Sequence, residues 1–401
     1  MKPMPRLLAA LQRLLARGLV LWRAIPLMDR WLSSELLGPL LFGIAAFTTV
    51  SLSVGVVFEL VRKVAEAGLA PLVAMQVLAL RLPGFLVLSF PMATLMATLL
   101  GYSRMSGSSE LTALRSIGVS TRRMVMPALA VALLMTLLTF VFNDVIVPSS
   151  NLAASDTLDA ALGRALASER GDNVVYSRFA EITVKEGDRM RTGRSLAQLF
   201  YARRFREGEM QGVTLLDFSR PGQQQMLIAD TAVWSDTRSM WEFRNGRIVN
   251  IEADSNRTTS ADFDHYFYPF TTAPLEVGKL PSDAGEMTVR QAMRAERLLT
   301  DAGDRKEARR LRVRIQEKFA FPAICLVFGL IGSSLGVRPN ARTSRSQGFG
   351  ISVLLIFGYY LMSFIFSSLG VKGTLLPFFS AWLPVFIGLG AGLYLLRQAS
   401  R

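Results

Sequence analysis

Histidine and cysteine are almost missing from this 401-residue chain, where His265 and Cys325 each occur once. A single cysteine excludes an intramolecular disulfide. A single histidine excludes a zinc site of the His-Glu-x-x-His kind, and His265 sits among aromatic residues in a strand-like segment, away from any apolar run that could host an intramembrane Ser–His pair. No Gly-x-x-x-x-Gly-Lys-Ser/Thr loop occurs, so the chain does not itself cradle nucleotide phosphates in that way. An enzyme reading has no catalytic group to name, and neither metal nor cofactor is expected in the chain.

A third absence decides the class. Six stretches contain no Asp, Glu, Lys or Arg: residues 36–58, 82–103, 124–143, 319–337, 346–371 and 373–396. Each has the ~20 residues needed to cross a hydrocarbon core of ~30 Å. With 51% hydrophobic and only 19% charged residues, the chain is too apolar for a soluble domain of this size. The expected fold is a polytopic α-helical membrane protein with six transmembrane helices, three before and three after a large inserted segment. The boundaries read 1–30 for a basic N-terminal segment, 31–144 for the first three spans, 145–318 for the inserted domain and 319–401 for the last three spans.

The net charge of +14 takes its meaning from its location. Residues 1–35 hold six basic and two acidic residues, 104–123 hold four and one, Arg338, Arg342 and Arg345 add three, and Arg397 and Arg401 two, together +12 of the +14. All fall on one side if the spans alternate, whereas the short links opposite hold Glu59, Arg62, Lys63 and Glu66, then Lys372 alone. The excess of Lys and Arg places both termini in the cytoplasm and the inserted domain outside it. The basic balance therefore reports topology, and nucleic acid is not an expected partner. Near the N-terminus, Leu7, Leu8, Leu11, Leu14 and Leu15 recur at helical spacing beside Arg13 and Arg17. Two readings stand for this stretch, an interfacial helix and a frayed basic tail, while a cleavable signal is not expected.

Beyond Asn143-Asp144 helix-compatible sequence continues to about Ala167, which predicts a stalk. From Val174 to Phe270 the period shortens to two, as in Val213, Leu215 and Asp217 against Thr214, Leu216 and Phe218, the pattern of half-buried strands. Asn245-Gly246 predicts a tight hairpin turn, and the closely spaced strands with polar turns suggest a sandwich or open jelly roll. Met287 to Lys318 returns to charged helical sequence.

The linker Ser106 to Gly118 predicts a short amphipathic helix, capped by Ser108 and ended by Gly118, with Leu111, Leu114 and Ile117 on one face, Glu110 near its start and Arg115 near its end. Two readings fit it: a docking element for a cytoplasmic partner, or an apolar face resting on lipid with Glu110 and Arg115 complementing the helix dipole. Arg62, Lys63 and Arg81, near the outer ends of spans one and two, are candidate contacts for an anionic lipid headgroup, or cations that snorkel to ordinary lipid phosphates.

Here the sequence resembles the permease subunits of the lipopolysaccharide-export ABC transporter, the LptF/LptG type, over nearly the whole chain after residue 27. Its markers are Asp29-Arg30-Trp31-Leu32, Ser109-Glu110-Leu111 with Gly118-Val119-Ser120, Asn143 followed by Pro148, Glu317-Lys318, Tyr359-Tyr360 and Trp382-Leu383-Pro384, in this order around a three-plus-three arrangement. The resemblance implies an inner-membrane permease that extracts lipopolysaccharide, with the inserted domain a periplasmic β-jelly roll. It further implies pairing with a second permease subunit, sister or identical, delivery to a periplasmic jelly-roll bridge protein, and a separate cytoplasmic ABC ATPase that binds the ATP. That ATPase would dock on the linker at Glu110, Leu111, Leu114, Arg115, Ile117 and Gly118, with Glu110 as the coupling glutamate. Two other expectations differ in class: a permease for another lipid or a lipoprotein, and a membrane anchor that displays a β domain without transport.

Overall fold

The computed structural model describes residues 26–67, 69–161, 174–186, 189–206, 208–219, 223–252, 257–277, 280–281, 284–337 and 345–400. The N-terminal leucine repeat, the end of the predicted stalk beyond Ala161, and Arg338 and Arg342 lie outside these residues.

The helices are α1 (Leu27–Leu52), α2 (Phe58–Ala67), α3 (Pro71–Gly107), α4 (Glu110–Ser116), α5 (Thr121–Val141), α6 (Val147–Ala161), α7 (Ala273–Val277), α8 (Val289–Asp301), α9 (Arg305–Gly336), α10 (Arg345–Lys372) and α11 (Pro377–Ala399). A π turn, Ser53–Val57, fuses α1 to α2, and another, Phe142–Ile146, fuses α5 to α6. Six of the resulting rods are long and apolar enough to cross a membrane: Leu27–Glu66, Pro71–Gly107, Thr121–Leu158, Arg305–Gly336, Gly348–Lys372 and Pro377–Ala399. Each charge-free stretch of the sequence falls on one of them, and the architecture is that of a multi-pass membrane protein.

The fourth span is the hub. In its most apolar window 72% of residues are buried, against at most 39% in any other span. Lipid does not drive helices together hydrophobically, so such burial needs close backbone approach through small residues. Gly329, Gly332 and Gly336, spaced three and four apart, line one stripe of α9. A methyl group on Gly332 would stand 2.9 Å from the Leu95 carbonyl oxygen and 3.1 Å from the Leu99 nitrogen, and one on Gly336 would stand 2.6 Å from Tyr102 Cβ. Opposite them, Thr94 and Thr98 of α3 turn their hydroxyls back to the carbonyls of Phe90 and Thr94 at 2.7 Å, which satisfies their donors within their own helix. On another side of α9, Gly388 and Gly392 of α11 receive Val327 and Leu330.

The six strands are β1 (Val174–Glu186), β2 (Arg189–Arg206), β3 (Glu209–Asp217), β4 (Gln223–Ser235), β5 (Met240–Glu252) and β6 (Arg257–Tyr268). They form one antiparallel sheet in the order β1-β2-β3-β4-β5-β6. The jelly-roll connectivity expected from the sequence is therefore not what these pairings draw. A jelly roll needs Greek-key crossings, and the short links here, such as Asp236–Ser239 between β4 and β5, reach only the neighbouring strand. The sheet is an up-and-down meander.

Asn245-Gly246 is a second correction. The dipeptide lies in the middle of β5, and its left-handed Asn245 (φ 51°) bends the strand without reversing it. Asn245 belongs to a row that steps out of the pairing in five adjacent strands: Arg203, Gly212, Asp230, Asn245 and Asp264 are skipped while the register on either side is unchanged. Across this row inward-facing residues follow at three positions instead of two, as in Met210 and Val213 or Ala229 and Ala232, all buried. Aligned irregularities of this kind bend a sheet, and residues from both sides of the crease share one core with Phe200, Trp241 and Phe243. Gly246 is required there because a Cβ would meet the Phe263 ring and stand 3.0 Å from Ala229 Cα. The sheet joins the helices where Phe179 N donates to the Ala302 carbonyl at 2.8 Å, at the end of α8.

Inside the sheet domain, Asp217 accepts from Ser219 N at 2.8 Å, from Gln198 Nε2 at 3.1 Å and from the Tyr268 hydroxyl. Burial alone would raise this carboxyl, but the hydrogen bonds from Ser219, Tyr268 and Gln198 outweigh it and hold it below the usual carboxylate range.

Two outcomes follow. Gly332→Val should lower stability by ~1–3 kcal/mol through overpacking, read as an earlier thermal transition in detergent, while Gly390→Ala, with nothing within 4 Å of the added methyl, should leave the transition in place. A depressed folded-state pKa contributes stability above the ordinary carboxylate value and loses it as pH falls through the depressed one. The melting temperature of the wild type should therefore drop on acidification below about pH 4, and Asp217→Asn should melt earlier at neutral pH with a shallower acid-side decline.

Candidate functional site

Two features gather polar side chains that the fold alone does not need: the linker helix at one end of the bundle and a cationic cleft at the end nearer the sheet.

The linker helix α4 is shorter than its sequence predicts. It begins at Glu110 behind Ser109, which is left-handed (φ 62°) and makes no side-chain cap. Ser108 is not the cap either, because its hydroxyl donates to Glu110 Oε1 at 2.7 Å and lies within reach of the Arg104 carbonyl at 3.1 Å. The stop is as expected: Gly118 (φ 91°) is left-handed, and Val119 N returns to the Leu114 carbonyl at 3.1 Å. Since the helix ends at Ser116, the three predicted apolar residues do not share one fate. Leu111 is 1% exposed in a core with Tyr102, Met124 and Val337, Leu114 packs against that core, and Ile117 is 75% exposed.

The two charges of α4 also differ. Glu110 Oε2 is enclosed and meets no hydrogen-bond donor among the described residues, a costly state for a carboxylate oxygen. Arg115 turns into the bundle, where its Nη2 donates to the Val337 carbonyl at 2.9 Å. Around the helix the bundle end is tied by Arg123 to Asp29 at 2.6 Å, by Arg104 to Glu35, and by the Thr121 hydroxyl to the Ala399 carbonyl at 3.4 Å.

Near the sheet end, Arg62, Lys63 and Arg81 all lie within electrostatic reach of Glu59. Lys63 pairs with Glu59 at 2.5 Å, and Arg62 with Glu66 at 3.9 Å on exposed side chains. Arg81 instead lines a cleft of about 970 Å³ between α3, the third span, α8 and α9, together with Arg310, Arg314 and Lys318. Two carboxylates, Glu307 and Glu317, oppose these four cations, pairing with Arg310 at 3.5 Å and Arg314 at 3.1 Å. Lys318 Nζ donates to the Met287 carbonyl at 2.7 Å, and Asp144, in the π turn of the third span, accepts from Val289 N at 2.8 Å. The apolar part of the lining includes Phe85, Leu88, Leu299, Leu311 and Phe321. A lining that combines cations with apolar side chains suits an amphiphile with an anionic head. The α9 contribution was readable in the sequence, because Arg310, Arg314 and Lys318 recur every four residues and so share one helical face.

No group of three or more His, Cys, Asp or Glu side chains that could hold a metal ion occurs among the described residues. The family model described as lipopolysaccharide export system permease LptF/LptG matches residues 30–398. No curated protein sequence matches the chain.

Proposed function

The chain belongs to the lipopolysaccharide export permease family LptF/LptG, and on that premise we propose that it is one half of a paired permease driven by a separate cytoplasmic ATPase docked on α4. The observation that carries this reading is Glu110: its enclosed carboxylate oxygen has no donor among the described residues and is stabilised when the side chain turns outward to a cationic side chain of a docked protein. Ile117, exposed one turn beyond Leu114, supplies an apolar contact at the same surface. With the charge bias of the linkers, the α4 end faces the cytoplasm, both termini lie there, and the sheet stands in the periplasm of an inner-membrane protein.

The cargo in this reading is lipopolysaccharide. Its acyl chains need a continuous apolar path, at ~0.8 kcal/mol per CH₂ kept from water, and its phosphates need cations. Arg81 with Arg310 and Arg314 answers the second need better than Arg62 and Lys63, because the three converge on one cleft that Arg62 and Lys63 do not line. The bent sheet, apolar on its inner face, is the receiving end and hands the lipid to a periplasmic β bridge.

The coupling test is Glu110→Ala. Loss of a partly desolvated charge pair costs ~2–5 kcal/mol, which weakens ATPase association about 30-fold or more. The variant should insert normally and lose the ATPase from the purified complex, while Glu66→Ala should keep it. Full ATPase binding and full transport in Glu110→Ala would overturn the docking role and favour a membrane anchor without transport. For the cargo, replacing Arg81, Arg310 and Arg314 with Gln should reduce photo-crosslinking of lipopolysaccharide at least fivefold with ATPase assembly intact. Gln at Arg62 and Lys63 should have the smaller effect.

A further inference from the structure

Leu111 and Arg115 lie four residues apart and so share one stripe of α4, and that stripe faces the bundle. Arg115 is half-buried, and its Nη2 reaches the Val337 carbonyl across 222 positions of sequence at 2.9 Å. Val337 is the residue that caps the end of α9, and it is 1% exposed in the same core as Leu111. A cation on the carbonyls at a helix C-terminus is attracted both by the hydrogen bond and by the helix dipole. The remaining polar ties at this end fasten other elements: Arg104 and Arg123 hold the first span, and Thr121 holds the end of α11. From α4 itself, Arg115 is the residue whose side chain reaches α9.

What lies beyond that bond is a single rod. α9 runs unbroken for 32 residues from Arg305 to Gly336. At its far end Asp304 caps it by accepting from Glu307 N at 3.1 Å, and the neighbouring Ala302 carbonyl holds strand β1. The same rod carries Arg310, Arg314 and Lys318 into the cleft.

We propose that Arg115 is a positioning residue that locks the linker helix to the end of α9, so that displacement of α4 is delivered to the fourth span and through it to the cleft and the sheet. This rests on the reading of α4 as the ATPase docking helix, but it removes Arg115 from the docking surface and gives it the opposite face. Glu110 and Ile117 receive the partner, and Arg115 passes the movement inward. Lysine can make the same single bond, since only one guanidinium nitrogen is used, so Arg115→Lys should retain function where Arg115→Ala does not.

The test uses the full permease complex with its ATPase in lipid nanodiscs loaded with lipopolysaccharide. Arg115→Ala should keep the ATPase bound and hydrolysing at the wild-type basal rate while release of lipopolysaccharide per ATP falls at least tenfold, and Arg115→Lys should restore at least half of that release. Loss of the ATPase from Arg115→Ala would make Arg115 a docking residue and overturn the proposal, as would unchanged release per ATP. A second measurement stands apart from the transport reading: hydrogen exchange of the α9 amides from Ser333 to Val337 in the isolated full chain. Faster exchange in Arg115→Ala than in wild type supports the lock, and equal exchange overturns it. If the wild-type chain recruits no ATPase at all, the proposed function fails while the exchange measurement still decides the lock.

Discussion

Backbone contact between α9 and α3 is the constraint on which the remaining structure depends. In water two apolar helices associate because water leaves; in lipid that term is absent, and association rests on dispersion at close range and on interhelical hydrogen bonds. Gly329, Gly332 and Gly336 supply the close range, since even one methyl at these positions would fall inside contact distance of α3 or α5. The glycine seam joins the first three spans to the last three, which are separated in sequence by the whole sheet domain. With α3 on one side and α11 on another, α9 has few residues left for lipid.

A hub of this kind makes both ends of the molecule mechanically related. At one end the Arg115 bond and the Leu111 core fix the linker helix to α9. At the other, two markers of the family resemblance meet: Lys318 Nζ lies 3.5 Å from the Asn143 carbonyl, and Asn143 Nδ2 lies 3.4 Å from the Lys318 carbonyl. Asn143 can do this because the π turn Phe142–Ile146 adds a residue to one helical turn and re-aims the polar pair Asn143-Asp144 toward α9 and α8. Both junctions spend polar groups on helix ends or irregular turns, the places in a membrane helix where backbone groups are otherwise short of partners.

The spans were legible in the sequence because the cost of a charge in hydrocarbon leaves a pattern that composition alone reveals. The strand region was legible for the matching reason, the period of two from Val174 onward. What composition could not separate was a turn from a crease. Asn-Gly tolerates left-handed backbone in either setting, and only the five-strand row through Gly212 and Asn245 shows which applies. A trace of it exists in the sequence, where Ala202 and Phe205, Met210 and Val213, and Ala229 and Ala232 are spaced by three within otherwise alternating strands. The stop of α4 at Gly118 was readable from one residue type, but the fate of Ile117 depended on where the helix unwinds. The partner of Arg115 was beyond reach, because nothing local points to a carbonyl in another span.

On α4 each charge has one enclosed atom without a partner among the described residues, Glu110 Oε2 and Arg115 Nε, but only Arg115 is anchored in another span. An arginine that finds a helix-terminal carbonyl has its best donor direction used, and moving it to a partner would leave that carbonyl enclosed and unpaired. Glu110 is held only by its neighbour Ser108, and its second oxygen, which has no donor among the described residues, gains one by turning to a cation outside. The same logic separates the cations near the sheet. Lys63 and Arg62 are held by carboxylates one turn away on their own helix, whereas Arg81 stands in the cleft with no ion pair among the described residues, facing a stripe of α9 that carries more positive than negative charge. Residues that the fold leaves electrostatically incomplete thus cluster at the two places proposed for partner and lipid, and α9 is the element that runs between them.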